Sequence, residues 1–156
     1  TILFAILIVY LVLAAQFESF RNPLAIILTV PIALTAGLYT LFLTGTSINV
    51  YSQIGFLMLI GLITKNGILV VEFANQLRKK GMSVDEAIFE SSLIRLRPVL
   101  MTTISTLLGA VPLVMSSGAG AESRYSMAIV VLGGITLSSL ITLYLVPALY
   151  RLIESR

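Results

Sequence analysis

The sequence predicts an all-α bundle of transmembrane helices, and three observations carry that prediction. Hydrophobic residues make up 58% of the 156 residues and charged residues only 11%, against about 25% charged in an ordinary soluble domain. Mean hydropathy is +1.04. The apolar residues gather into runs of roughly 20, the length that crosses about 30 Å of hydrocarbon. Short turns separate these runs, and the basic residues fall on alternate turns. Five spans plus one short interfacial helix are expected.

Composition also excludes several classes of function. The chain has no cysteine and no histidine, which removes disulfides, thiol catalysis and the usual zinc or haem ligand sets. A net charge of +3 would suit nucleic acid, but basic loops placed by membrane topology give the same balance. The expected surroundings are a lipid bilayer, with no nucleic-acid partner and no cofactor. The opening TILFAILIVYLVLAA lacks the basic n-region of a signal peptide. It reads as a cut inside or just before a span, and the chain as a fragment of a larger protein.

Span one is expected over about 2–17, closed by the polar turn Glu18 to Asn22, after which Pro23 can open the next helix. Span two covers about 24–43, with Pro31 expected to kink it. Thr44 to Asn49 is a short uncharged turn, and span three follows over about 50–77. After the basic cluster Arg78, Lys79 and Lys80, Gly81 suits a helix C-cap. Ser83 and Glu86 have capping-box spacing, so a short interfacial helix is expected over about 84–94. Span four covers about 98–115, Ser116 to Ser126 is a glycine-rich loop, and span five covers about 127–152. The recurring Gly55, Gly61, Gly67, Gly109, Gly133 and Gly134 are read as close-packing positions.

Orientation follows from the cations. If five spans alternate, Arg21, Arg78, Lys79, Lys80, Arg95, Arg97, Arg151 and Arg156 share one side and Arg124 lies on the other. The first side is expected to be cytoplasmic, and with it the C-terminus.

Within span three, Lys65 and Asn66 interrupt an apolar run. An ammonium at bilayer depth costs about 2.5 kcal/mol or more, so it survives inside a bundle with a partner. Snorkelling is a poor alternative: Lys65 is eleven residues past Ile54 and thirteen before Arg78, about 16 and 20 Å along a helix. If Glu72 and Arg95 mark the edge of their spans, Lys65 and Thr102 are each seven residues inward, at matching depths of about 10 Å. Thr103, Ser105 and Thr106 are expected to bond carbonyls of their own helix; for Thr102 that role and a place beside the lysine stay equally open. No aspartate lies within the five spans, so the counter-charge of Lys65 has to come from helices elsewhere. A membrane lysine with hydroxyl neighbours and an outside carboxylate has the composition of a proton relay.

Three stretches then carry a resemblance: Leu11 to Phe20 (LVLAAQFESF), Gly61 to Ala74 (GLITKNGILVVEFA) and Arg95 to Thr103 (RLRPVLMTT). In order and interval they resemble the last five transmembrane helices of the resistance-nodulation-division (RND) multidrug efflux transporters of acriflavine-resistance type. The resemblance covers essentially the whole chain. It implies a C-terminal transmembrane segment of a proton-driven drug/proton antiporter exporting small hydrophobic or amphiphilic compounds, with the proton as coupling ion. Lys65 falls on the family's membrane lysine, which pairs with two aspartates of an N-terminal half absent here. Asn66, Arg95 and Thr102 fall on the asparagine after that lysine and on the arginine and threonine of the next helix. The resemblance further implies a bacterial inner-membrane homotrimer working with a periplasmic adaptor and an outer-membrane channel.

Two other memberships of the same superfamily compete: a protein-secretion accessory subunit and a heavy-metal efflux pump. Met58, Met82, Met101, Met115 and Met127 scatter over different spans and depths, so core packing accounts for them better than a metal path. An enzyme is not expected, because no paired carboxylates or nucleophile with a base occur at depth.

Overall fold

The computed structural model describes residues 1–155, and Arg156, counted above among the cations, lies outside the described residues. Six helices follow in order: α1 Ile2–Phe17, α2 Asn22–Ile27, α3 Val30–Thr44, α4 Val50–Lys79, α5 Val84–Val114 and α6 Ala121–Glu154. Four segments are long and apolar enough to cross a membrane: Asn22–Thr44 (α2 with α3), α4, α5 and α6. Helix α1, with 16 residues, reaches about 24 Å at 1.5 Å per residue, short of a full hydrocarbon core.

Pro31 does more than kink its span. It has no N–H to offer the carbonyl four residues back, at Ile27, and its ring crowds that carbonyl. Helix α2 ends at Ile27, and α3 restarts at Val30 with the proline in its first turn. Thr29 repairs part of the break by donating its hydroxyl to the Ile26 carbonyl at 2.6 Å, in a buried position.

The separate interfacial helix and fourth span expected from the sequence run together as α5. The reciprocal capping box of Ser83 and Glu86 opens it as anticipated, but the helix passes through Pro98 to Val114. The first third is held against the bundle: Ala87, Ile88 and Ser91 are buried, and Ser91 donates to the Val70 carbonyl of α4 at 2.6 Å. At 31 residues α5 measures about 46 Å. Its acidic start, Asp85, Glu86 and Glu90, therefore extends past the apolar layer.

Helix α6 is the spine, packing on α3, α4 and α5. One core gathers Leu41, Phe56, Leu59, Ile63, Val130 and Ile135; a second, nearer the basic end, gathers Leu13, Ile26, Val71, Ala74, Val146 and Tyr150. Glycines set how closely the helices approach. A Cβ on Gly55 would come within 3.0 Å of the Met127 carbonyl oxygen, one on Gly133 would run into Thr40, and one on Gly134 into Leu59. Gly61 and Gly109 depart from the packing expectation, with open space where a Cβ would sit. Of the methionines, Met58, Met101 and Met115 are exposed rather than in the core.

Polar fastenings close both ends. Asn49 caps α4 in a reciprocal box with Ser52, and its amide donates to Ser126 of α6 at 3.1 Å. At the basic end Arg78 pairs with Glu154, Arg151 with Asp85 at 2.7 Å, and the buried Tyr150 hydroxyl donates to Asn75 at 2.6 Å.

Candidate functional site

Helix α4 has two unlike faces. Phe56, Leu59, Ile60, Ile63, Thr64 and Gly67 are buried against α6 and its neighbours, whereas Ile54, Met58, Gly61, Lys65 and Glu72 form an exposed stripe at helical spacing. Lys65 is thus not buried by these helices, contrary to the expectation that a bundle encloses it. The reason is geometric: the inward face is fully occupied by the two cores, and the lysine stands on the face that no described helix covers. The two ion pairs of the described residues leave it out.

Next to this stripe runs the hydroxyl-rich part of α5. Lys65, Asn66, Thr102, Thr103 and Thr106 line one cavity of about 40 Å³, closed by Leu62 and Ile135, room for one or two waters. Three of the four predicted site residues therefore meet. Thr102 donates to the Val99 carbonyl at 3.0 Å, and Thr106 to the Thr102 carbonyl at 2.8 Å. Thr103 breaks the expected pattern: its hydroxyl crosses to Ser139 of α6 at 3.3 Å, with both groups buried. No periodicity marked that pairing, because it depends on how α5 and α6 are rotated about their axes.

Arg95, the fourth predicted residue, is not part of the cavity. Its guanidinium lies over the Phe73 ring of α4, 4.9 Å from the centroid, an attraction of about 0.5–2 kcal/mol. Its Nε is buried without a partner. Arg95 is two turns from Thr102, so a chain of waters or a further polar group would have to link them. A separate cleft of about 760 Å³ between the start of α5 and the end of α6 contains none of the four residues.

The chemistry offered is that of a primary ammonium, an amide and several hydroxyls on an otherwise apolar surface. These groups accept, donate and hold protons, and no described carboxylate balances the charge of the lysine. The profile of the AcrB/AcrD/AcrF family matches residues 1–154. An uncharacterized transporter of Haemophilus influenzae is 41% identical over 99% of this chain. The multidrug resistance protein MdtC of Erwinia amylovora is 47% identical, and that of Erwinia tasmaniensis 45%, each over 96% of the chain. The match spans 16% of the length of the first relative and 15% of each MdtC.

Proposed function

Because this chain belongs to the AcrB/AcrD/AcrF family, we propose that it forms the C-terminal transmembrane part of a proton-driven RND antiporter exporting small hydrophobic or amphiphilic compounds. One observation supports the relay assignment: Lys65 stands on the open face of α4 beside the hydroxyls of α5, with no carboxylate of the described residues paired to it. The remainder of the transporter covers that face and brings the counter-charge. In one state the ammonium holds the carboxylates ionised; when a proton joins the carboxylates the attraction weakens, and the α4 face is released from its partner. Asn66 and Thr102 orient the lysine, and Arg95 guards the approach from the basic end. The names of the MdtC relatives support a drug as cargo. Assembly as a homotrimer with a periplasmic adaptor and an outer-membrane channel belongs to the same reading.

Thr102→Val keeps the shape of the side chain and removes its hydroxyl. In the full-length transporter it is expected to lower proton-coupled drug flux about tenfold at unchanged membrane abundance; wild-type flux would remove Thr102 from the relay.

The basic end faces the cytoplasm and the protein resides in the bacterial inner membrane. In intact spheroplasts an impermeant thiol reagent is expected to spare Lys80→Cys and to label Ser117→Cys. The reverse pattern would invert the orientation.

A further inference from the structure

The cleft of about 760 Å³ between α5 and α6 has a charged rim and an apolar floor. Asp85 and Glu86, in the first turn of α5, and Arg151, in the last turn of α6, form the rim. Below them the walls carry Phe89, Leu93 and Tyr144, all exposed. A second hollow of about 560 Å³ continues along α6 past Leu140, Ile141 and Leu145, and Tyr144 and Ala148 line both. From Arg151 to Leu140 is eleven residues, about 16 Å of helix, which matches half of a hydrocarbon core of about 30 Å. The groove thus has the depth of one leaflet, with its charges at the membrane surface. Ser91 turns toward α4 and bonds Val70. Phe89 and Leu93 stand two residues to either side of Ser91, about 200° around the helix, so the groove lies on the flank of α5 turned away from α4 and the Lys65 stripe.

The rim charges select a headgroup. Asp85 accepts from the Arg151 Nε at 2.7 Å and Nη2 at 3.2 Å, which occupies one edge of the guanidinium and leaves Nη1 free to donate. Glu86 is in neither ion pair of the described residues; one of its carboxylate oxygens accepts the Ser83 N–H at 3.4 Å, and the other is uncommitted. Basic pockets between transmembrane helices take anionic lipids, but two carboxylates beside one arginine have the opposite balance. They suit a zwitterion, with a phosphate on the free edge of Arg151 and a hydrogen-bonding ammonium on Glu86. We propose that this groove binds one phosphatidylethanolamine, its phosphate on Arg151, its ammonium on Glu86 and an acyl chain along Ala148, Tyr144 and Leu140. A choline headgroup carries the same charges without an N–H for Glu86, and a glycerol headgroup carries no cation. The inference requires the chain to sit in a bilayer and does not depend on the role of Lys65.

The test uses the delipidated full-length transporter in detergent. Phosphatidylethanolamine, phosphatidylcholine and phosphatidylglycerol with identical acyl chains are added in turn, and bound lipid is counted by native mass spectrometry. Phosphatidylethanolamine is expected to bind about tenfold more tightly than either of the others at one site per chain. Glu86→Gln removes the charge and keeps a residue that serves the capping box; it is expected to abolish that preference. Ala148→Trp places a bulky ring at an exposed position on the groove floor. It is expected to lose the site for all three lipids, with thermal stability in lipid-free detergent unchanged. A structure of the full-length protein in lipid nanodiscs is expected to show a two-chained lipid in the groove. Equal binding of the three lipids, a preference for phosphatidylglycerol, a preference that survives Glu86→Gln, full binding to Ala148→Trp, or a protein helix seated in the groove would each overturn the proposal.

Discussion

Lys65→Ala in the full-length transporter is expected to reduce drug efflux to background while the protein still inserts and accumulates. Removing the ammonium takes a charge out of the membrane, which eases insertion. On the proposed reading it also strips the carboxylates of the missing half of their counter-charge, a loss of about 3–5 kcal/mol for a buried pair, or about two to four orders of magnitude in rate. Lys65→Arg is expected to fail as well. A planar guanidinium presents its charge through a fixed fork and does not fit where a compact ammonium is held. Efflux from susceptible cells, normalised to the amount of transporter in the membrane, checks both variants. Normal efflux by a well-expressed Lys65→Ala protein would end the relay assignment.

The second large effect is one of packing rather than of charge. Gly134→Leu is expected to prevent the bundle from closing. The position faces Leu59, which is 0% exposed in the core between α3, α4 and α6, and even a single Cβ there runs into the Leu59 side chain. Forcing four extra carbons into a packed seam costs about 1–3 kcal/mol and often more. Because helices in lipid gain their association from close van der Waals contact, loss of that approach is not offset elsewhere. Gly109→Ala is the contrast, since a Cβ at Gly109 meets nothing within 4 Å. The yield of monodisperse, detergent-extracted full-length protein should collapse for Gly134→Leu; equal yields for the two variants would show that the α4 and α6 seam is not what holds the bundle.

Much of this architecture was legible in the sequence because it is written in local chemistry. Ser83 and Glu86 announce a helix start by their spacing alone, and Gly81, at φ 95°, ends the preceding segment where a left-handed residue is needed. The family resemblance was legible too, since three stretches keep their order and interval. Features set by tertiary rotation were not. An interfacial helix over about 84–94 and a span from about 98 were expected as two pieces, yet Ala87, Ile88 and Ser91 hold the first part of α5 in the bundle, with Ser91 bonded to α4, and one helix runs on through Pro98. Thr103 resembles Thr106 in sequence, but one meets Ser139 and the other its own helix. Ser139 drew no notice, because a hydroxyl in an apolar span usually bonds its own backbone.

Lys65 shows the limit most clearly. Its type and depth pointed to an ion pair and to a partner outside the chain, while its direction could only come from the fold. The stripe of Ile54, Met58, Gly61, Lys65 and Glu72 is open because the opposite face of α4 is already filled. A helix presenting carboxylates to that stripe would cover Lys65 and exclude lipid from it, and this is the central claim about the chain.

The most direct measurement of that claim is drug-dependent proton flux into proteoliposomes holding these 156 residues alone, compared with vesicles in which the rest of the transporter is supplied as a separate chain. The account predicts no coupled flux from the first preparation and recovery in the second, abolished again by Lys65→Ala. Robust antiport from the 156 residues by themselves would contradict it, because the counter-charge would then have to lie within this chain.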